Sequence, residues 1–177
     1  MKKIKLGLLA LLGVLMTLST AVLAQEVEPI TVDFKEIIEL SPQLESEIRC
    51  LAKNIYYEAG NESFDGKLAV AQVSVNRMRS GKFPDTICGV VKQKTNWQGR
   101  TVCQFSWFCT AKGKAPAPSN SENYQESLEI AKRVLLEGLG LRQLKDALYF
   151  HATHVTPNWG KPKVAKIGNH IFYRDHK

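Results

Sequence analysis

The sequence predicts an α+β domain, mostly helical, with a small antiparallel sheet at its C-terminal end. Three observations carry that prediction. Apolar residues recur at three- and four-residue spacing through residues 44–59, and again through 68–78 and 124–135, the period of helices that bury one face. Beyond residue 146 that period stops, and two short runs rich in β-forming residues take over: Ala147-Leu148-Tyr149-Phe150 and His170-Ile171-Phe172-Tyr173. Repeats and low-complexity tracts are absent from the sequence, so one core is expected to serve the whole domain.

The N-terminal stretch reads as an address. Lys2, Lys3 and Lys5 precede an apolar run over residues 6–22, and Val22-Leu23-Ala24 offers small residues at the −3 and −1 positions of a signal-peptidase site. A retained anchor is the competing reading, but the run over residues 6–18 is shorter than the roughly 20 residues a bilayer span needs. No cysteine follows it, which argues against a lipid anchor. The expectation is a signal peptide at 1–24, a flexible lead-in at 25–41 and one domain at 42–177, exported to the periplasm or secreted and without a stable membrane anchor after cleavage. Losing three lysines with the signal lowers the formal charge from +7 to +4. That mild basicity suits an anionic polymer and falls short of the clustered basic face of a nucleic-acid binder.

The first helix follows Pro42, with Leu44, Ile48, Leu51, Ala52, Ile55 and Ala59 on its buried face, and Gly60-Asn61 stops it. A second starts after Ser63 and runs to about Met78, carrying Leu68, Ala71, Val75 and Met78 as one stripe, with Ser80-Gly81 beyond. A short third helix covers Thr86 to Gln93. Residues 94–119 are rich in Gly, Pro, Lys, Asn and Thr, with aromatics and two cysteines interspersed, and read as a long pinned loop. A fourth helix, capped by Asn120 or Ser121, has Tyr124, Leu128, Ala131 and Leu135 inside, and Gly138 and Gly140 end it. The last strand is entered through Gly168-Asn169, a turn signal.

Four cysteines remain after the signal: Cys50, Cys88, Cys103 and Cys109. An even number in an exported chain reads as two disulfides, with three pairings open. The spacings contain no C-x-x-C, which weakens a zinc reading.

One segment concentrates chemistry. Ile55-Tyr56-Tyr57-Glu58-Ala59-Gly60-Asn61-Glu62 places a carboxylate in the last turn of an apolar helix, between tyrosines and a tight turn. Partial withdrawal from water disfavours the ionised form and raises the pKa toward that of a general acid. Cleavage of a glycosidic bond needs such a proton donor for its leaving oxygen. Glu62, four residues on, reads first as a cap or hydrogen-bonding group for the next helix. His151, His154, His170 and His176 raise a metal hypothesis, yet His151 and His154 sit in a strand-to-turn context, away from the helical H-E-x-x-H pattern. Trp97, Phe105, Trp107, Phe108 and Trp159 suit stacking on sugar rings and equally suit loop packing. No nucleophile elbow, P-loop or dinucleotide fingerprint is present, and no cofactor or metal is expected.

Taken in order, the blocks Ile55-Tyr56-Tyr57-Glu58-Ala59, Gly66-Lys67-Leu68-Ala69-Val70-Ala71-Gln72-Val73, Phe83-Pro84-Asp85-Thr86-Ile87-Cys88-Gly89, Cys103-Gln104-Phe105-Ser106-Trp107 and Ala147-Leu148-Tyr149-Phe150-His151, with the closing Gly168-Asn169-His170-Ile171-Phe172-Tyr173, resemble the SleB-type cell-wall hydrolases. The resemblance runs over residues 51–174. It implies a lysozyme-like α+β domain acting on peptidoglycan, at the bond between N-acetylmuramic acid and N-acetylglucosamine, with Glu58 as the catalytic acid. The implied domain is similar to lytic transglycosylases, for which a single catalytic carboxylate suffices, and Tyr57, Glu62, Gln104, Ser106, Trp107 and His151 are the candidate substrate-binding residues. Ala59-Gly60-Asn61-Glu62 stands where many relatives carry Ala-Arg-Gly-Glu, so a basic residue is missing beside the site. The recognisable domain carries no wall-binding repeat, which leaves targeting to the domain itself or to a partner protein. Three alternatives stand beside this reading: a water-using muramidase with Glu62 or Asp65 as second carboxylate, a zinc-dependent wall amidase using the histidines, and a non-catalytic wall-binding domain.

Overall fold

The computed structural model describes residues 40–176. The signal peptide expected at 1–24 and all but the end of the lead-in expected at 25–41 lie outside the described residues. Helix α1 spans Pro42–Ala59, with Pro42 at its first position and the Ser41 hydroxyl accepting from the Leu44 N–H. Both features satisfy or pre-set an N-terminal turn. Its buried face carries Ile48, Leu51, Ala52, Ile55 and Ala59, as the spacing requires. Its end departs from expectation: Gly60 keeps a right-handed φ of −57°, so α1 stops without a left-handed glycine.

Helix α2, Phe64–Arg79, is capped by Ser63, whose hydroxyl accepts from the Gly66 N–H. The single stripe expected here understates it. Leu68, Ala71 and Val75 pack into one core cluster, with α1 and the long helix over Glu122–Leu136, while Ala69 and Val73 on the other side pack with Leu144, Ala147 and Phe172. A helix buried on both sides shows no amphipathic period, which is why one stripe was all the pattern revealed. Helix α3, Ile87–Lys92, is capped by Thr86 and tied to α1 by the Cys50–Cys88 disulfide.

Residues 94–119 are more structured than the expected loop. Strands β1 (Lys94–Trp97) and β2 (Arg100–Cys103) form an antiparallel hairpin across Gln98-Gly99, which both take positive φ, 50° and 75°. That is the backbone of a two-residue hairpin turn. A 3₁₀ turn over Ser106–Cys109 and helix α4 (Ala111–Lys114) follow, and Cys103–Cys109 closes the segment. The two bridges resolve the pairing that the sequence left open.

Helix α5, Glu122–Leu136, buries Tyr124, Ser127, Ile130, Ala131 and Val134, and half-buries Leu128 and Leu135. Ser121 occupies the N-cap position without a side-chain bond to the helix. Gly138, at φ 71°, ends it, with the Leu139 N–H reaching back to the Arg133 carbonyl. A 3₁₀ turn at Arg142–Leu144 leads to the terminal sheet, whose order is β3 (Tyr149–Ala152), β5 (His170–Tyr173), β4 (Lys163–Ile167), all antiparallel. Strand β3 begins two residues later than expected, which brings His151 into the ladder opposite Ile171. Strand β4 was not anticipated; it is the outer arm of the Gly168-Asn169 hairpin.

Candidate active site

Glu58 lies in the last turn of α1, where the helical period turns its carboxyl away from the core face. Two depressions of about 580 and 600 Å3 meet at that carboxyl, and Tyr57, Glu58, Lys112, Ala152 and His170 border both. One runs toward Asn61, Glu62, Asn123, His154 and Asn169, the other toward Ser106, Trp107, Thr110 and His151. A third, smaller cavity of about 210 Å3 lies against Glu58 and is lined by Arg77, Gln104, Phe105, Ser106 and Phe150. Glu58 is the residue common to all three. Burial pushes its carboxyl up to about 7, with the Arg77 charge pulling the other way. A group poised there exchanges a proton readily in either direction at neutral pH.

Every sequence-predicted residue of the site borders one of these cavities, though their roles differ. Tyr57 stacks on Trp107, ring centroids 4.7 Å apart. Trp107 itself is buried, only 6% exposed, and its Nε1–H donates to Asn54 Oδ1, whose own amide donates to the Ser74 hydroxyl. Trp107 thus forms a floor that fixes Tyr57, more than an open platform for a ligand. The polar pair Asn54 and Ser74, fully buried yet hydrogen-bonded, locks α1, α2 and the 3₁₀ turn together at the base of the site. Gln104 and Ser106 are exposed and held by the Cys103–Cys109 bridge around them.

Glu62 is engaged. Its carboxylate accepts from the backbone N–H of Asn169 at 3.1 Å and from the Asn169 side-chain amide at 3.0 Å. Burial alone would raise its pKa, but those two bonds and the neighbouring His170 outweigh it and hold the carboxyl below its ordinary value. The capping role expected for Glu62 is replaced by a clamp between the α1–α2 junction and the β4–β5 turn. His151 is likewise satisfied: Nδ1 meets the Ala152 carbonyl at 2.8 Å and Nε2 the Tyr173 hydroxyl at 2.9 Å, with Trp159 packed edge-on.

Three participants were not singled out from the sequence. His170 is buried, with Nδ1 unpartnered among the described residues, and burial holds its pKa below the ordinary histidine value. The sequence places it among four histidines that read as hydrogen-bonded structural or substrate-side groups ahead of metal ligands, with no link to Glu58. Lys112 comes from a four-residue helix inside the stretch read as a loop. Arg77, on α2, is 3% exposed. Only the fold brings these three to Glu58. Among the described residues, no group of three or more His, Cys, Asp or Glu side chains stands together in a way that could hold a metal ion. No described helix is long and apolar enough to cross a membrane.

Comparison with known proteins shows the family and the fold. A family model described as Cell Wall Hydrolase matches residues 61–173, a span that opens three residues after Glu58. The spore cortex-lytic enzyme of Bacillus subtilis is 28% identical over 131 residues, which is 72% of this chain and 37% of that protein. That of Bacillus cereus is 27% identical, over 72% of this chain and 44% of its own length. The chain therefore matches less than half the length of these curated relatives. Two solved structures share the fold at 25% identity. One is the catalytic domain of the Bacillus cereus SleB protein (TM-score 0.55, 73% of this chain and 91% of that one). The other is the catalytic domain of the germination-specific lytic transglycosylase SleB from Bacillus anthracis (TM-score 0.57, 78% and 100%).

Proposed function

The chain belongs to the Cell Wall Hydrolase family, and from that premise we propose that it cleaves the glycan strand of peptidoglycan between N-acetylmuramic acid and N-acetylglucosamine, as a lytic transglycosylase with Glu58 as its single catalytic carboxylate. The observation that carries this reading is one largely buried carboxyl, raised to about 7, where two adjoining depressions meet. A polymer laid across both would pass directly over it.

In this reaction the protonated Glu58 gives its proton to the glycosidic oxygen as the bond from that oxygen to muramic C1 breaks and C1 takes on oxocarbenium character. The departing sugar leaves with a new hydroxyl. The muramic 6-hydroxyl then bonds to C1, and its proton passes to the Glu58 carboxylate. A 1,6-anhydro end forms and the acid is regenerated. Tyr57, Gln104, Ser106 and His151 line the walls along which the sugars would be held, with Trp107 fixing Tyr57 from beneath. The hydrolytic alternative needs a second carboxylate to activate water. Glu62, the nearer candidate, is already committed to Asn169, which favours the intramolecular route. Acting on the wall places the protein outside the cytoplasmic membrane, in the periplasm or secreted, with peptidoglycan as its partner.

The test is mass spectrometry of soluble fragments from purified peptidoglycan incubated with the protein and with Glu58→Gln. Anhydro-muramic ends from the wild type alone are the expected result. Reducing muramic ends would make water the nucleophile, and released peptides with intact glycan would overturn the glycosidase reading. Because the donor must be protonated, turnover is expected to fall as pH rises through about 7.

A further inference from the structure

Two cations are buried among the described residues, and they are treated differently. Lys67 is paired with Glu126. Arg77 is paired with no carboxylate within ion-pair distance among the described residues. Its Nε–H donates to the Leu148 carbonyl at 2.7 Å, and its Nη1 has no hydrogen-bond partner there. The guanidinium is wedged between two rings, 5.1 Å from the Phe83 centroid and 5.2 Å from the Phe105 centroid. A planar cation held this way has no freedom to swing toward solvent. Burying an incompletely satisfied charge is expensive, and the Leu148 contact alone does not explain it, since a neutral side chain of similar length would reach that carbonyl. What the position does explain is the cavity that Arg77 shares with Glu58, Gln104 and Ser106.

We infer that Arg77 is the fixed counter-charge of Glu58: a positioning residue whose guanidinium stabilises the carboxylate left by proton donation, so that Glu58 can return as the base of the second step. The inference rests on the glycosidase reading for its catalytic meaning, while the electrostatic coupling itself does not. The other titratable or charged groups around the Glu58 carboxyl are Tyr56, Tyr57 and Glu62 from the end of α1 and the turn after it, Lys112 from α4, His151 from β3, the exposed His154 just beyond β3, and His170 from β5. Tyr149 of β3 acts on the Arg77 side. Lys112 is exposed and screened by water, and His170 is held toward its neutral form by burial. Arg77 is therefore the permanent positive charge in a dry setting beside the acid.

The experiment has two arms. In the first, the pH profile of glycan cleavage is compared for wild type, Arg77→Gln and Arg77→Lys. With Arg77→Gln the maximal rate falls, and the alkaline limb moves to higher pH by about one pH unit or more, the usual effect of removing a close opposite charge. Arg77→Lys keeps the limb near its wild-type place. A folded Arg77→Gln protein whose limb does not move would overturn the inference, since a merely structural arginine changes stability without displacing that limb.

The second arm needs neither substrate nor an Arg77 variant. The side-chain Nε–H resonance of Arg77 in the wild-type protein is followed by NMR as pH is raised. Burial lowers the Arg77 pKa only to about 10, so it keeps its proton through neutral pH, and a chemical-shift change centred near pH 7 that vanishes in Glu58→Gln reports the Glu58 charge at the guanidinium. A flat resonance, or one that still titrates in Glu58→Gln, would sink the coupling. Should peptidoglycan prove not to be cleaved while the resonance tracks Glu58, the coupling stands and only the reading of the reaction falls.

Discussion

Keeping a proton on Glu58 near neutral pH works against the fold that holds it. Below its ordinary value of 4.5 the carboxyl is protonated in both folded and unfolded chains, and no linkage arises. Between 4.5 and about 7 the unfolded chain releases the proton and the folded chain retains it, so stability falls as pH rises through that window and is flat above it. Glu58→Gln, which cannot ionise, escapes the loss. It is expected to match wild type in thermal stability at pH 4 and to exceed it at pH 8 by up to about 3 kcal/mol, while losing turnover. Equal melting curves at pH 8 would mean that the carboxyl is not held neutral by burial. This residue was legible because everything that perturbs it first is local: an apolar helix, two tyrosines and a turn. Arg77, His170 and Lys112 were not, because three other elements deliver them, and no spacing in the chain records that meeting.

Elements carry the site through their ends and their fastenings. Glu62 fastens the turn of the β4–β5 hairpin to the α1–α2 junction, and because its ionised form accepts both bonds, the stability it contributes is fully present above its ordinary pKa and is lost as pH falls from there through its depressed folded value. Glu62→Ala is expected to lose about 1 kcal/mol, given the half-exposed setting, and to speed hydrogen exchange at the Asn169 amide. Glu62→Gln retains an acceptor and should keep most of kcat; a near-total loss of turnover in Glu62→Gln would instead make Glu62 a second catalytic carboxylate. The disulfides divide the labour differently. Cys50–Cys88 closes a loop with a sequence separation of 38 and Cys103–Cys109 one of 6, for which chain entropy gives about 4 and about 2 kcal/mol. Replacing the first pair by alanines should lower the denaturation midpoint more, and replacing the second should cost more activity, since it encloses Gln104 and Ser106.

The long helices were readable through three-four spacing and through the residues that start them, Pro42 for α1 and Ser63 for α2. The β1–β2 hairpin was not, because its strands are exposed on both faces apart from Cys103, so no alternation marks them. Its turn, Gln98-Gly99, also lacks the Asn or Asp that usually announces one.

At the scale of the molecule, the site is a seam between a helical body bearing Glu58 and a sheet bearing His151 and His170, with α2 buried between two core clusters that serve the two sides. What joins α2 to the sheet side is partly polar. Asn76 donates to the carbonyls of Leu144 and Ala147 at 2.7 and 2.9 Å, and the Gln72 amide both donates to the Leu141 carbonyl and accepts from the Leu141 N–H. Each is a buried or half-buried group whose removal strands a backbone partner, which costs about 1–3 kcal/mol. The second cluster is small, so this joint is expected to open before the α1–α2–α5 body does. Asn76→Ala should therefore speed amide exchange in β3, β4 and β5 far more than in α1, and lower kcat at a pH and temperature where the protein remains folded, because the wall carrying His151 and His170 no longer holds its place opposite Glu58. Hydrogen exchange read by mass spectrometry separates the outcomes. Acceleration spread evenly over α1, α2 and the sheet would show one cooperative unit and refute the seam, whereas acceleration confined to the sheet would identify the joint between α2 and the C-terminal segment as what sets the geometry of the site.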